Sequence, residues 1–382
     1  NLFNYNWELC KLKEITERVK GNDGRMDLPT LTISASQGWL NQKDRFSGNI
    51  AGKEQKNYTL LLKNELSYNH GNSKLAKYGA VFSLKTYEEA LVPRVYHSFK
   101  STKNSDPDFL EYIFATKKPD KELGKLVSSG ARMDGLLNIN YDDFSNIKIN
   151  IPHVHEQKKI SNLLRKIDDT IALHQRKLDQ LKELKKAYLQ LMFPKKDETV
   201  PQVRFANFEE NWELCKLENI IEKQIKGKAK VENLCNGSVE YLDANRLNGG
   251  KPIYTKALPD VSERDIIILW DGSKAGKVYY GFKGVLGSTL KAYQLKECAN
   301  SQFIYQQLLD NQNNIYNNYR TPNIPHVVKN FSSIFPIWMT SFEEQSQMAD
   351  ILSNLDNRII LQQNLTDTMI SLKKSYLQNM FI

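Results

Sequence analysis

The longest periodic pattern of apolar residues covers residues 156–193. Apolar positions recur there at alternating four- and three-residue steps, and neither Pro nor Gly interrupts them before Pro194. This 3.5-residue period is typical of a coiled-coil seam, which would comprise Ile160, Leu164, Ile167, Ile171, His174, Leu178 and Leu181. After Leu181 the pattern predicts a phase slip, so that the seam continues through Leu184, Tyr188 and Leu191.

A second segment, residues 344–381, predicts another long helix. Ser341 and Glu344 have the spacing of a capping box at its start. Its apolar face comprises Met348, Leu352, Leu355, Ile359, Met369, Leu372 and Tyr376. Since neither long helix has an obvious globular partner in its own flanks, we expect the two to pack on each other. The alternative is two ordinary helices, each packed on its own domain.

The stretches outside these helices predict a mixture of short strands and helices. The segments AVFSL, DIIILW and KVYYGF have the apolar and aromatic character of strands, whereas PDFLEYIFAT predicts a helix. The polar, proline-containing segment PKKDETVPQ that follows the first long helix has the composition of a linker.

The chain also contains a duplication. Residues 6–17 and 211–222 share nine of twelve residues, and the two long helical segments share sixteen of 38 aligned positions. The stretches of about 130 residues between these segments show little similarity. The pattern indicates a duplicated module whose ends are kept and whose interior differs. Because the second copy has a lead-in, VPQVRFANF, that the first nearly lacks, we expect residues to have been lost before Asn1.

Composition narrows the class of partner. The 382-residue chain has a formal net charge of +9, which makes a polyanion such as nucleic acid a plausible partner. The first long helix is more basic than the second, and a nucleic-acid backbone beside Lys158, Lys159, Lys182 and Lys186 is one explanation; a solvated helix face is the other. With no membrane-length apolar run and four cysteines interpreted as part-buried, reduced thiols, we expect a cytoplasmic protein.

The sequence lacks the usual signatures of catalysis. The segment GSKAGKV lacks one spacer residue of a P-loop and the Ser or Thr that should follow Lys277. His153 and His155 have no third zinc ligand at a recognisable spacing. The Pro-Asp pairs at 119–120 and 259–260 lack the acidic-x-Lys element of a nuclease. We therefore expect a reader without catalytic machinery, catalytic residues, cofactor or metal of its own.

Two loops have a composition suited to DNA contact. The first carries Tyr68, Asn69, Gly71, Asn72, Ser73, Lys74 and Lys77, and the second carries Trp270, Asp271, Gly272, Ser273, Lys274 and Lys277. Amides and basic side chains read base edges, while Lys and Ser hold phosphates. Surface loops without a partner would have a similar composition.

The whole chain resembles the specificity subunit of bacterial Type I restriction-modification systems. The resemblance rests on VPQVRFANFEENWELCKL, INYDDFSNIKINIPHVHEQKKISNLL, LWDGSKAGKVYYGFKGVLGSTLKAYQL and the endings KKAYLQLMF and KKSYLQNMF. It implies an α+β fold: two mixed target-recognition domains held apart by two long helices in an antiparallel coiled coil, with an internal pseudo-two-fold repeat. The implied division is 1–152 and 197–340 for the recognition domains, and 153–196 and 341–382 for the helical regions.

The resemblance also implies partners. Each recognition domain would read one half of a bipartite, asymmetric site in double-stranded DNA. Two modification subunits using S-adenosylmethionine and two restriction subunits, which are ATP- and Mg-dependent motor-nucleases, would dock on this chain, with no membrane involved. Candidate DNA contacts are Tyr68, Asn69, Ser73, Lys74, Lys77, Arg94, Lys100, Arg132, Asn245, Arg246, Trp270, Ser273, Lys274, Lys277, Ser288, Thr289, Arg320 and Asn323.

Three alternatives stay open. Arg132 and Arg320 could each form a structural salt bridge. The chain could be a coiled-coil adaptor that does not read bases. It could also be a stand-alone nuclease or methyltransferase with an unrecognised site.

Overall fold

The computed structural model describes residues 7–46, 52–127, 136–195, 198–231 and 236–381. The chain forms two compact units: unit 1 comprises Asn1–His174 and Leu365–Ile382, and unit 2 comprises Gln175–Asn364. Both predicted long helices are present, at Val154–Met192 and Phe342–Asn379. Neither of them, nor any other helix in the described ranges, combines the length and apolar character that crossing a bilayer requires.

Short strands and helices make up unit 1. Its strands are β1 (Glu8–Lys11), β2 (Thr16–Val19), β3 (Leu31–Ser34), β4 (Gly38–Asn41), β5 (Thr59–Leu62), β6 (Leu66–Asn69), β7 (Ala80–Ser83), β8 (Glu89–Val92), β9 (His97–Ser101) and β10 (Lys148–Ile151). Its helices are α1 (Leu12–Ile15), α2 (Gln42–Phe46), α3 (Pro107–Ala115), α4 (Asp120–Leu126), α5 (Tyr141–Ser145) and the first part of α6 (Val154–Met192), with a 3-10 turn at Gly52–Asn57.

The elements of unit 2 follow a similar plan. Its strands are β11 (Glu213–Lys216), β12 (Ile221–Lys226), β13 (Val239–Leu242), β14 (Ile253–Thr255), β15 (Ile266–Leu269), β16 (Val278–Tyr279), β17 (Val285–Leu286), β18 (Leu290–Leu295) and β19 (Pro336–Met339). Its helices are α7 (Ala244–Leu247), α8 (Ser301–Asp310), α9 (Gln312–Asn318), α10 (Phe331–Ile334) and the first part of α11 (Phe342–Asn379), with a 3-10 turn at Leu217–Ile220.

The central sheets of the two units have the same strand order. Unit 1 contains the antiparallel sheet β2-β9-β6-β7, and unit 2 contains β12-β18-β15-β16. The strands predicted at AVFSL, DIIILW and KVYYGF are β7, β15 and β16, and the helix predicted at PDFLEYIFAT is α3. The dissimilar interiors of the repeat therefore share a topology, and the predicted α+β class with an internal repeat is confirmed.

The repeated segment NWELCKL forms the same strand pair in both units. Strand β1 pairs with β10, with Glu8 opposite Ile151, and β11 pairs with β19, with Glu213 opposite Met339. The next backbone bond is also shared: Leu12 N–H donates to Ile147 O at 3.0 Å, and Leu217 N–H donates to Phe335 O at 2.9 Å. Each pair ties the entry of a unit to the strand that leads into a long helix.

The Gln of the repeated Glu-Gln pair explains why that pair is kept. In unit 2, Gln345 Oε1 accepts from Asn300 N at 2.8 Å, and its Nε2 donates to Cys298 O at 3.1 Å and Thr340 O at 2.7 Å. In unit 1, Gln157 makes the same three bonds, with the backbone N–H of Asp106 and the carbonyls of Asn104 and Pro152. Both glutamines are fully buried.

These networks fix two further helices. Asp106 and Asn300 are the N-cap residues of α3 and α8, and their side chains accept from Phe109 N at 2.9 Å and Phe303 N at 3.1 Å. A side-chain oxygen at this position satisfies a backbone N–H that the first turn of a helix leaves free. Each glutamine thus attaches the capped start of a domain helix to the start of a long helix.

The glutamates of the two pairs differ. Glu344 is buried and paired with Arg204, whose Nε and Nη2 donate to its two carboxylate oxygens at 2.7 and 2.9 Å. Ser341 Oγ accepts from Glu344 N at 3.3 Å, but the predicted capping box is only half formed because Arg204 occupies the carboxylate. Glu156 is also buried, but its Oε2 has no hydrogen-bond partner among the described residues.

Within unit 1, the two long helices pack antiparallel. Ile160 and Leu164 lie in one core cluster with Phe381, while Lys373 Nζ pairs with Asp168 at 2.5 Å. The residue numbers of one helix therefore decrease in the direction in which those of the other increase, as in an antiparallel pair. The cluster extends under the sheet to Phe109 and Phe144.

Within unit 2, the same antiparallel packing is seen. Met192 shares a core cluster with Met348, and Lys185 Nζ pairs with Asp356 at 2.6 Å. The segment interpreted as a linker is also attached here, because Val203 N–H donates to Leu191 O and Trp212 N–H donates to Thr199 O.

Two seam assignments are corrected. Leu184 is 43% exposed and Leu372 is 38% exposed. The positions facing inward are those of Lys185 and Lys373, whose charges are neutralised by Asp356 and Asp168. Since an ion pair lets a lysine occupy a partly buried seam position, no phase slip is needed after Leu181.

Candidate nucleic-acid interface

The two predicted loops occupy equivalent places in the two sheets. Residues 70–79 connect β6 to β7, and residues 270–277 connect β15 to β16. In both sheets these are the third and fourth strands of the same order. The turns that precede β9 and β18 carry Arg94 in unit 1 and Ser288 and Thr289 in unit 2.

In unit 2 the candidate residues form one connected surface. The Thr289 carbonyl accepts from Trp270 N at 2.8 Å and from Asp271 N at 3.2 Å. Gly272 N–H donates to Pro325 O at 2.9 Å, which joins the loop to the segment that contains Asn323. Gly272 has φ +111°, a conformation that favours glycine and permits this turn. Ser273, Lys274 and Asn323 are exposed on this surface.

Arg320 is held at the centre of that surface without an acidic partner. Its Nε donates to Tyr316 O at 2.8 Å, its Nη1 donates to Ser273 O at 3.2 Å, and its guanidinium carbon lies 4.9 Å from the centre of the Tyr316 ring. No carboxylate pairs with it among the residues that the structure describes. The alternative of a structural salt bridge is therefore not seen for Arg320 in that part of the chain.

A second group of candidates lies at one edge of this surface. Lys277 Nζ donates to Asn248 Oδ1 and lies 5.2 Å from the centre of the Tyr279 ring. Asn248 follows α7, which carries the exposed Asn245 and the half-buried Arg246. Arg246 pairs with Glu240, so part of its donor capacity is already used, and this carboxylate raises its pKa.

Trp270 is placed differently from the prediction. Its side chain is 8% exposed and belongs to the core cluster of unit 2. Lys291 Nζ lies 3.4 Å from the centre of the indole ring, and burial, followed by the nearby Lys226, lowers the pKa of Lys291. Trp270 therefore supports a lysine that the sequence-based selection missed.

Tyr68 in unit 1 is a core residue. It is fully buried in β6, it stacks on Phe144 with ring centres 4.4 Å apart, and its Oη donates to Tyr78 O at 2.6 Å. Burial raises its pKa. The prediction that Tyr68 belongs to the Gly-containing loop is corrected, because Tyr68 lies within β6 and its side chain packs in the core of unit 1.

Other candidates of unit 1 border an open cavity of about 530 Å³. Asn69 and Ser73 line it, together with Asn72 and the sequence-distant Ser34, Ser36 and Arg45. Asn69 Oδ1 accepts from Gly71 N at 3.1 Å, and its Nδ2 donates to Ile33 O at 3.2 Å. The cavity therefore combines the fixed amide of Asn69 with hydroxyl groups and an arginine. The segment 31–45 gave no sequence signal for this placement.

The basic candidates of unit 1 are spread over its surface. Lys74, Lys77 and Arg94 are exposed, and Lys77 Nζ lies 5.3 Å from the centre of the Tyr78 ring. Lys100 lies toward the other end of β9 from the cavity and pairs with Glu17 at 3.1 Å. Arg132 lies outside the described residues.

Both surfaces offer hydrogen-bond donors, acceptors and positive charge. No group of acidic, histidine or cysteine side chains suited to a metal ion occurs in the described ranges. Cys10 and Cys215 are partly buried, burial raises the pKa of both thiols, and Cys298 is exposed rather than part-buried as predicted. Cys235 lies outside the described residues.

Comparison with known families gives one family over both repeats. A family model described as Type I restriction modification DNA specificity domain matches residues 4–183 and 209–369. The chain is 30% identical over 195 residues to the Type I restriction enzyme MjaVIII specificity subunit of Methanocaldococcus jannaschii. That match covers 49% of this chain and 45% of the relative, so it spans about half the relative's length.

Solved structures share the fold. The S subunit of a Type I restriction-modification system from M. genitalium superposes with a TM-score of 0.67 at 16% identity, covering 99% of this chain and 97% of that one. A chain from a structure of complex assembly and conformational transition in the Type I system gives a TM-score of 0.53 at 13% identity, covering 98% of each.

Proposed function

Because the chain belongs to the Type I restriction-modification DNA specificity family, we propose that it recognises DNA for such a system. Unit 1 and unit 2 each read one half of a bipartite, asymmetric sequence in double-stranded DNA. The chain also provides the frame on which modification and restriction subunits assemble. Acting on cellular DNA, it works in the cytoplasm.

The main support is the pairing of two equivalent loops that differ in sequence. Both connect the third and fourth strands of sheets with one topology. Their side chains differ: the loop of unit 1 borders a cavity with the fixed amide of Asn69, whereas the loop of unit 2 carries lysines and holds Arg320 through the Ser273 carbonyl. Equal scaffolds with unequal polar surfaces suit an asymmetric site, because base contacts set sequence while the scaffold sets position.

We assign the contact role to the exposed or anchored polar groups. The proposed DNA contacts of unit 1 are Asn69, Ser73 and Arg94. Further positive charge in unit 1 comes from Lys74, Lys77, Lys100 and Arg132. In unit 2 the contacts are Asn245, Arg246, Ser273, Lys274, Lys277, Ser288, Thr289, Arg320 and Asn323. Trp270 contributes to DNA binding by positioning Lys291, and Tyr68 contributes only by stabilising the β6 strand.

The division of labour follows from the duplicated ends. We propose recognition domains at 1–152 and 197–340 and helical regions at 153–196 and 341–382. Two modification subunits bind the two equivalent helical regions, and two restriction subunits complete the complex. Methyl transfer with S-adenosylmethionine and ATP-dependent cleavage with Mg²⁺ belong to those partners.

A binding experiment with the purified chain and its co-expressed modification subunits tests this proposal. A random-sequence duplex library should yield a two-part motif with a fixed spacer. An adaptor that does not read bases predicts no enrichment. A stand-alone nuclease or methyltransferase predicts turnover by the purified chain given Mg²⁺, methyl donor and ATP, and either result would overturn the proposal.

A further inference from the structure

We propose that Arg320 reads a guanine in the half-site bound by unit 2. This inference rests on the proposed DNA-recognition function and deepens it by naming one base. It concerns the guanidinium group and the loop 270–274 that holds it.

Arg320 is fixed in place before DNA arrives. Two backbone carbonyls, of Tyr316 and Ser273, accept from Nε and Nη1 at 2.8 and 3.2 Å, and the guanidinium carbon lies 4.9 Å from the centre of the Tyr316 ring. The backbone of Arg320 is bridged to Val327 in an antiparallel manner, which fixes the root of the side chain. A side chain ordered in the free protein loses little conformational freedom on binding.

The anchoring leaves the recognition donors available. A guanidinium has five N–H donors and no acceptor, and the two carbonyl contacts use one on Nε and one on Nη1. Both hydrogens of Nη2 and one of Nη1 remain. A pair of parallel donors on Nη1 and Nη2 matches the O6 and N7 acceptors of guanine in the major groove.

A base explains this geometry better than a phosphate. Phosphate contacts tolerate mobile point charges, and the exposed Lys274 in the same loop has that character. The carboxylate of Asp271 is also exposed in this loop. A negative charge in the loop that holds Arg320 disfavours a phosphate but can accept from the amino group of cytosine, the partner of guanine.

The test uses the full chain with its modification subunits and duplexes bearing the site selected by the wild-type complex. Each guanine of the half-site read by unit 2 is replaced in turn by 7-deazaguanine, which lacks the N7 acceptor. We compare wild type with Arg320→Ala, Arg320→Lys and, as a matched control, Lys274→Ala. Thermal unfolding of each variant checks that unit 2 stays folded.

At one guanine, wild type should lose about 10–100-fold in affinity on replacement of that base, and Arg320→Ala should be insensitive to the same replacement. The lysine variant can still donate to guanine, but it loses the planar donor pair and both carbonyl anchors, so its loss of affinity at that base should be smaller than that of wild type. Lys274→Ala should weaken all sequences alike and keep the sensitivity to deazaguanine.

Several results would overturn the inference. If no guanine is sensitive in wild type, or if Arg320→Ala keeps that sensitivity, Arg320 does not read guanine. If Arg320→Ala weakens every sequence equally, the arginine contacts a phosphate. If Arg320→Ala unfolds unit 2, the deazaguanine scan on wild type and Arg320→Lys decides. A wild-type complex without any sequence preference would instead reject the proposed function itself.

Discussion

Replacing Gln345 by Ala should strongly destabilise unit 2, because this buried side chain makes three hydrogen bonds to backbone groups. Truncation leaves Asn300 N–H and the carbonyls of Cys298 and Thr340 without that partner. An unsatisfied buried polar group costs about 1–3 kcal/mol, and some of these groups will recruit water. We therefore expect a loss of about 3–5 kcal/mol in the free energy of unfolding.

Two measurements test this effect: the thermal unfolding temperature, and hydrogen exchange at the backbone amides of unit 2. For a domain of this size, 1 kcal/mol shifts Tm by about 2–4 °C, so Gln345→Ala should lower it by roughly 10 °C. The first turn of α8 should lose exchange protection first, since Asn300 caps it. Gln157→Ala should act in the same way on α3 in unit 1.

The control is Gln190→Ala, at an exposed position of α6 within unit 2. It should change stability by less than about 0.5 kcal/mol. If Gln345→Ala and Gln190→Ala shift Tm equally, the buried network does not explain why Glu-Gln is repeated. An effect of Gln345→Ala without a loss of protection in α8 would also show that Gln345 does not hold the start of that helix.

Three further predictions concern charges. Arg204→Ala leaves the buried Glu344 unpaired and should cost about 3–5 kcal/mol in urea unfolding, whereas Arg204→Ala with Glu344→Gln should cost less. Burial lowers the pKa of His97 from 6.5 to about 4, so folded unit 1 favours the neutral imidazole. The free energy of unfolding of unit 1 should therefore fall by up to about 3 kcal/mol as pH drops from 6.5 to 4. His97→Gln should flatten that pH dependence. Reversing the charge of exposed lysines on α6 should reduce the slope of log K against log salt concentration for DNA binding by about 0.9 for each phosphate that is no longer neutralised. Lys374→Glu on α11 is the control. An unchanged slope would place DNA away from α6. The reversed residues are Lys158, Lys159, Lys182 and Lys186.

The repeated frame comprises the strand pairs β1–β10 and β11–β19 and the long helices α6 and α11. It could be predicted from the sequence because identical residues recur where the same backbone pairing recurs. Glu8 and Glu213 have the same register in their strand pairs, and Gln157 and Gln345 bind equivalent backbone groups. The long helices were predictable from their period, but Lys185 and Lys373 were not recognised as inward-facing. Their burial depends on Asp356 and Asp168, which lie far away in sequence.

The recognition surfaces were predictable only in outline. Loop composition identified the segments around Ser73 and Ser273, but it could not show that Tyr68 stacks on Phe144 or that Lys291 lies over Trp270. Those facts depend on which strands become neighbours. The anchoring of Arg320 by the Ser273 carbonyl likewise joins two segments that no local pattern connects.

We propose that the unrepeated interior of each unit carries half of the DNA code, while the repeated ends give both units the same frame. The most direct test is methylome sequencing of cells that express the chain with its modification subunits. It compares the native chain with a chimera in which residues 221–335 come from a relative of different specificity. We predict that one half of a bipartite motif changes while the other half and the spacer stay the same. A change in both halves, or a methylation pattern without a bipartite motif, would contradict the account.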